Sequence, residues 1–251
     1  MKRFIIFLVF LLILSPAITN ARNTDSIERI NYIKNELARH HFSSSQIKKI
    51  LSNPKLKIAI KKKPIKINWS KLEKSVLSED SINQGKDFLK KYSQYFTEAE
   101  NQYGIPKETI AAIIRIETNF GEFFGNDLIV SVFYSKAMKE SNKKWKSAAD
   151  NFVDFLIYTK QFNWDPFQIY GSYAGAFGLC QFLPYSALKY GVAANGGNKA
   201  NLFQAPDAIL SIANYLAAKN YNKNPTLALA DYYGNGSHYP EIILKYAEAL
   251  K

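Results

Sequence analysis

A glutamate occupies an apolar register in the middle of this chain. Within residues 105–121, Ile110, Ile113 and Ile114 repeat at i, i+3 and i+4, and the i+7 position of that face is Glu117. A carboxylate on a core-facing stripe is costly to ionise unless a partner compensates it. Such a group suits a general acid whose pKa is raised toward the working pH. The plainer alternative is a carboxylate at a helix end that turns out to solvent. The helix reads as one unit from Ile105 to Gly121: Pro106 suits its first turn, Glu108 favours the positive end of the dipole, and Gly121 suits its stop.

Three segments combine small residues, aromatics and neutral hydrogen-bonding groups, a mixture suited to sugars. They are Glu117-Thr118-Asn119-Phe120-Gly121, the stretch from Gly171 to Pro184 (Gly-Ser-Tyr-Ala-Gly-Ala-Phe-Gly-Leu-Cys-Gln-Phe-Leu-Pro), and the stretch from Tyr232 to Tyr239 (Tyr-Tyr-Gly-Asn-Gly-Ser-His-Tyr). Small residues let a ligand approach the backbone closely. Tyrosine and phenylalanine offer flat faces for sugar rings, and Ser, Gln and Asn supply uncharged hydrogen bonds. Turn chemistry plus core aromatics would produce the same composition.

The elements that must position these groups read as mostly helical. Residues 26–51 read as helix, as does Ser81 to Tyr103, and residues 127–160 hold one or two more. Residues 165–180 read as loop, and Gln181 to Tyr190 as a short helix with Pro184 in its first turn. After Pro206, Ile209, Ile212, Ala213 and Leu216 repeat at i, i+3, i+4 and i+7, an amphipathic helix. The tail from Pro240 to Lys251 is a further helix. Alternating β patterns are scarce, so the fold class expected is mainly α.

Lys2 and Arg3 followed by the apolar run Phe4 to Leu14 read as a signal peptide, with a cut after Ala21. An uncleaved anchor is the alternative. An exported chain whose only cysteine is Cys180 has no intrachain disulfide, and Cys180 reads as a buried packing thiol rather than a nucleophile. His40, His41 and His238 show no metal-ligand spacing. The formal charge is +12, and removing residues 1–21 deletes Lys2 and Arg3 only, which leaves +10. A basic exported protein is drawn to anionic surfaces. Lys61-Lys62-Lys63 ends at Pro64 and reads as a solvated linker, so nucleic acid has charge alone in its favour.

The order and spacing of these blocks resemble the lytic murein transglycosylase B family. Tyr103-Gly104-Ile105-Pro106 opens the Glu117 helix, the Gly171–Pro184 block follows, and Pro206-Asp207-Ala208-Ile209 leads to Ala213-Asn214-Tyr215. Leu51-Ser52-Asn53-Pro54-Lys55, Trp69 and Ser81-Ile82-Asn83-Gln84-Gly85 resemble the family's N-terminal helical part, so the likeness runs from about Asn31 to the C-terminus. It implies a lysozyme-like helical catalytic domain over 105–251, an N-terminal helical part over 22–104 packed on it, and the signal peptide over 1–21. The activity implied is non-hydrolytic cleavage of peptidoglycan between N-acetylmuramic acid and N-acetylglucosamine. In it Glu117 is the single acid/base, the muramic C6 hydroxyl attacks C1, and a 1,6-anhydro end forms. Ser172, Gln181, Tyr215, Asn235 and Tyr239 match positions that line the sugar cleft.

A single carboxylate suffices when the substrate supplies its own nucleophile, whereas ordinary glycosidases need two. Glu122, the nearest second carboxylate in sequence, is turned away from Glu117 by five helical positions. In one place the chain departs from the family. Many members carry an Asp-rich metal-binding loop before the Pro-Asp-Ala-Ile helix. Residues 193–201 here hold Asn, Gly and Ala with Lys199 and no carboxylate, so neither a metal nor a cofactor is expected. A basic pair near the cleft of some members has no clean match in Asn142-Lys143-Lys144-Trp145-Lys146. The partners expected are peptidoglycan glycan strands, with cell-envelope proteins as further candidates and no nucleic acid, for a monomer in the periplasm or cell envelope. A hydrolytic muramidase on the same scaffold and a non-catalytic wall-binding protein stand as alternatives.

Overall fold

The computed structural model describes residues 16–58, 67–140, 144–234 and 238–251, with side chains from residue 25 onward. Its elements run α1 (Pro16–Arg39), α2 (Ser44–Leu51), α3 (Trp69–Val76), α4 (Glu79–Lys91), α5 (Ser93–Tyr103), α6 (Lys107–Thr118), β1 (Asp127–Leu128), α7 (Ile129–Lys139) and α8 (Lys144–Gln161). A single 3₁₀ turn (Pro166–Gln168) precedes β2 (Tyr170–Gly171), α9 (Pro184–Tyr190), α10 (Ala205–Ala218), α11 (Pro225–Tyr233) and α12 (His238–Ala249). The expected mainly α class is what the chain forms. The Lys61–Lys63 run lies outside the described residues.

The Glu117 helix is the centre of the fold. Ile110, Ala111, Ala112, Ile113 and Ile114 of α6 are all fully buried, and α4, α5, α10 and α12 pack around them. Burying each isoleucine contributes about 1.5–3 kcal/mol. Arg115 Nε donates to Ser81 Oγ at 2.8 Å, and Tyr246 Oη donates to the Ser81 carbonyl at 2.5 Å, which ties α6 and α12 to α4. On the other side α1 lies against α7 and α8. There Arg29 Nη1 donates to the Ala137 carbonyl at 3.0 Å, and Tyr32 Oη donates to Asp150 Oδ1 at 2.7 Å.

Helix boundaries depart from the sequence expectation where caps intervene. The stretch 26–51 is two helices: His41 takes φ 60°, and Ser43 closes a capping box with Gln46 that starts α2 anew. The stretch from Ser81 to Tyr103 breaks at Tyr92, between α4 and α5. α6 is shorter at both ends than Ile105–Gly121. Pro106 is its cap rather than part of its first turn, and Asn119 (φ 50°) and Phe120 (φ 56°) leave the helix in left-handed conformations before Gly121 is reached. α3 and α11 were not expected from periodicity. Each begins at an asparagine cap, Asn68 accepting from the Lys71 N–H and Asn224 from the Leu227 N–H, both at 3.0 Å.

The ribbon of β1 and β2 is short but ties two cleft segments together, with Asp127 opposite Gly171 and Leu128 opposite Tyr170. Just before it, Gly125 has φ +104°, and a Cβ there would sit 2.1 Å from the Gly171 carbonyl oxygen. Backbone on backbone cannot yield as a side chain does. Gly125→Ala is therefore expected to destabilise the protein by about 3 kcal/mol or more. Gly196→Ala, with φ +72° but nothing within 4 Å, pays only the left-handed backbone cost of roughly 1–2 kcal/mol. Chemical denaturation of both variants checks the contrast, and equal losses would contradict it.

Candidate active site

Glu117 sits in the last turn of α6, where the helix runs out under a cavity of about 870 Å³. Protein surrounds its carboxyl on every side except that of the cavity, where the residue keeps a limited accessible surface. Burial pushes its pKa up to about 7, and a hydrogen bond from Tyr239 partly offsets the rise. That bond is Tyr239 Oη to Glu117 Oε1 at 2.7 Å. The apolar register read from sequence is therefore a real burial, and the solvent-facing alternative does not hold.

The segment after Glu117 is held so that the cavity stays open above the carboxyl. Thr118 Oγ1 donates to the Ile114 carbonyl and accepts from the Gly121 N–H, closing the end of α6. Asn119 Nδ2 donates to Glu122 Oε2, so Glu122 serves the turn. Phe120 stacks on Phe88 of α4, with ring centroids 4.7 Å apart.

The Gly171–Pro184 block forms one wall. Ser172 N–H donates to the Ala176 carbonyl at 2.8 Å, and Ser172 Oγ accepts from the Ala176 N–H at 3.0 Å. The serine hydroxyl hydrogen takes no part in these bonds and is available to an acceptor in the cavity. Lys136 Nζ donates to the Ala174 carbonyl at 2.6 Å and pins the loop from behind. Gln181 adopts φ 47°, and its Nε2 donates to the carbonyls of Phe124 and Gly178, both at 3.2 Å. Its amide nitrogen is thus committed, and its carbonyl oxygen is the group left for a ligand. Cys180 is buried, and burial pushes its thiol pKa up, as befits a packing residue.

Tyrosines form the opposite wall. Tyr215 Oη donates to the Asp231 carbonyl at 3.2 Å, and Tyr232 Oη donates to the Cys180 carbonyl at 2.7 Å. Tyr233 stacks on Tyr239 at 4.7 Å and meets Trp69 edge-on at 5.6 Å. Glu117, Ser172, Gln181 and Tyr215 all line the same cavity. Tyr239 is fully buried and reaches the site only through its bond to Glu117, so its position differs from the cleft-lining one expected. Asn235 lies outside the described residues.

Several lining residues escaped the sequence reading. Ile67 and Trp69 come from the N-terminal side of the chain, and Phe123 follows the Glu117 turn. Asp231 brings a second carboxylate into the lining that sequence proximity to Glu117 did not suggest. It is held by Lys219, with Nζ 3.3 Å from Oδ2. The signal for Trp69 was present as an isolated tryptophan, but nothing local says what it faces.

The site is a protonatable carboxyl beneath a cavity walled by tyrosines and amides, on a helical scaffold. The chain belongs to the Transglycosylase SLT domain family, whose profile it matches over residues 26–234. It is 30% identical over 161 residues to the membrane-bound lytic murein transglycosylase B of Escherichia coli (strain K12), covering 64% of this chain and 44% of that protein. The chain thus spans under half the length of that relative. Its fold is shared with the Escherichia coli lytic transglycosylase Slt35 solved with calcium (TM-score 0.74, 20% identity, 88% of this chain and 92% of that one). Pseudomonas aeruginosa SltB1 is similar in the same way (TM-score 0.75, 19% identity, 89% and 98%). So is SltB3 from that organism, solved with NAG-anhNAM-pentapeptide (TM-score 0.72, 16% identity, 89% and 78%).

The calcium of Slt35 raises the question of a metal here. Among the described residues no group of three or more His, Cys, Asp or Glu side chains could hold one. A hard cation takes six to eight converging oxygens. The carboxylate that reaches the loop before α10 is Asp207, from the first turn of that helix, and both its oxygens are engaged by amide donors, from Ala194 N–H at 3.0 Å and Asn201 N–H at 2.6 Å. The side-chain oxygens of Asn195 and Asn201 likewise accept from the N–H groups of Gly197 and Phe203. This donor-rich arrangement does not fit a calcium ion.

Two outcomes follow from the Glu117 environment. The hydrogen bond from Tyr239 favours the ionised form, so Tyr239→Phe moves the Glu117 pKa upward. A pH–rate profile on glycan should show its alkaline limb displaced to higher pH, and a limb that stays put or moves down would contradict the reading. The second concerns stability. The folded protein holds a proton on Glu117 up to about pH 7, whereas the unfolded chain releases it near 4.5. Stability from this group is therefore full below about pH 4.5 and falls as pH rises toward 7. Glu117→Gln removes that loss and is expected to stabilise the protein by roughly 1–3 kcal/mol at pH 8 and by nothing comparable at pH 4. Thermal melts at the two pH values decide it.

Proposed function

We propose that this chain is an exported peptidoglycan lytic transglycosylase that cleaves the β-1,4 bond between N-acetylmuramic acid and N-acetylglucosamine with Glu117 as its one acid/base. The observation that carries the reading is a carboxyl whose pKa is raised to about 7, lining a tyrosine-rich cavity, in a member of a transglycosylase family.

Glu117 gives its proton to the bridge oxygen as the bond from C1 of the muramic sugar to that oxygen breaks. The positive charge that develops at C1 and the ring oxygen is eased by uncharged dipoles, which lose less to desolvation than a second carboxylate would. The muramic C6 hydroxyl attacks C1, and its proton passes to the Glu117 carboxylate, restoring the acid. No water enters the products. In this reading Ser172, Gln181 and Tyr215 hold the sugars, Asn235 is a further sugar-binding residue, and Tyr239 positions Glu117.

The peptidoglycan-pentapeptide fragments bound by SltB3 support a glycan strand as the substrate. Among the described residues no helix is long and apolar enough to cross a membrane. The run from Phe4 to Leu14 is proposed to direct export, with action in the periplasm or cell envelope and residues 22–104 packed on a catalytic unit of 105–251. The mature charge of +10 draws the protein toward the acidic wall. The Asp231 carboxylate favours hydrolysis as the second reading, with water in place of the C6 hydroxyl. Its ion pair with Lys219 argues against a free base.

Digestion of purified sacculi separates the two. The expected muropeptides carry anhydro ends, one water lighter than reducing ends, and Glu117→Gln lowers release by about a thousandfold or more while wall binding persists. Reducing ends would establish the hydrolytic reading, and cleavage by Glu117→Gln at near the wild-type rate would remove Glu117 from the mechanism.

A further inference from the structure

The loop between α9 and α10 is built around one side chain from the helix that follows it. Asp207 lies in the first turn of α10, and its two carboxylate oxygens reach back to separate points of the loop, the N–H of Ala194 and the N–H of Asn201. Ser211, one turn further along α10, accepts from the Val192 N–H at 2.9 Å and donates to the Asp207 carbonyl at 2.6 Å. Three backbone amides of one loop are therefore clamped by two side chains on a single helix face.

The far end of the loop bears on the cleft. Tyr158 Oη donates to the Ala200 carbonyl at 2.9 Å and accepts from the Leu202 N–H at 3.0 Å. The Leu202 carbonyl then accepts from the Leu179 N–H at 2.8 Å. Leu179 stands two residues before Gln181, in the turn whose Gly178 (φ +72°) would place a Cβ 2.6 Å from that same Leu202 oxygen. Loop and turn are thus in direct backbone contact at Leu202.

A charge is needed to gather amides or oxygens that would otherwise face water, and either sign can do it. A cation gathers carbonyl and carboxylate oxygens. An anion gathers N–H groups, and a carboxylate with two charge-assisted bonds is a strong form of this. We infer that Asp207 is an internal anion that organises residues 192–203 in place of a bound cation, and that through Leu202 it sets the Gly178–Gln181 turn of the cleft without any metal. Lys199 in the same loop is consistent with the inference, since its charge repels a cation and attracts an aspartate.

Hydrogen exchange read by mass spectrometry on the full chain tests this independently of glycan cleavage, so its failure leaves the proposed activity standing. Calcium chloride at millimolar concentration, against a chelator, should leave exchange over 192–203 unchanged. Asp207→Asn should speed exchange of the 194–201 amides by about tenfold or more, with the effect reaching 178–182. If that variant fails to fold, Ser211→Ala, which frees only the Val192 amide, should speed exchange at the start of the loop. Slower exchange on adding calcium overturns the inference. So does Asp207→Asn with wild-type exchange in both segments, or Ser211→Ala with none of the expected change.

Discussion

The hydrogen bond from Tyr239 to Glu117 is the constraint around which the rest of the molecule is arranged. Burial alone would hold the carboxyl neutral across the working range, and free access to water would ionise it well below that range. The tyrosine hydroxyl sets an intermediate condition. It favours the carboxylate, so that burial leaves the pKa at about 7 rather than higher, and it engages Oε1. For that bond to exist, α12 must lie on α6, because the two residues are 122 positions apart in the chain. The arginine and serine between α4 and α6, and the Tyr246 hydroxyl from α12, serve the same docking.

The cleft above Glu117 is shaped mostly by uncharged groups. Two of its hydroxyls donate to main-chain carbonyls: Tyr215 to Asp231 and Tyr232 to Cys180. These bonds fix the two phenol oxygens, and Gln181 is held by its amide nitrogen in the same manner. Asp231 carries its own counter-ion, so the pair adds little net charge to the lining. An acid that must stay protonated is served by such surroundings, since a strong cation beside it would pull its pKa down.

Much of this was legible in the sequence because helices announce themselves through spacing. The i, i+3, i+4 pattern of Ile110, Ile113 and Ile114 located α6 and marked Glu117 as misplaced for a core stripe, and the same periodicity located α10. The breaks at residues 40–43 and at Tyr92 were missed because side-chain caps, not changes of composition, interrupt those helices. Ser172, Gln181 and Tyr215 were read as a set only through the family resemblance of the stretches that hold them, since periodicity marks none of them. Tyr239 was identified with the site but not with its place in it: spacing cannot tell a ring lining a cavity from one buried behind the carboxyl. Ile67, Trp69 and Asp231 depend on which distant elements meet, and local pattern is silent on that.

Contributions from distant parts of the chain make the cavity a property of the whole fold. Trp69 arrives before the α4–α6 core and meets Tyr233 from the end of α11, closing one side of the cleft across more than half the chain. Glu117 stands in the middle, the glycine-rich wall follows it, and Tyr239 returns from the last helix. The acid, its hydrogen-bond partner and both walls are spread over residues 117–239, and Ile67 and Trp69 add to the lining from before that span. A partly folded chain would expose Glu117 to water, where it ionises, and would leave the tyrosine faces apart. The raised pKa and the sugar-sized cavity therefore appear together, because both are produced by the same docking of α12 and the glycine-rich loop onto α6.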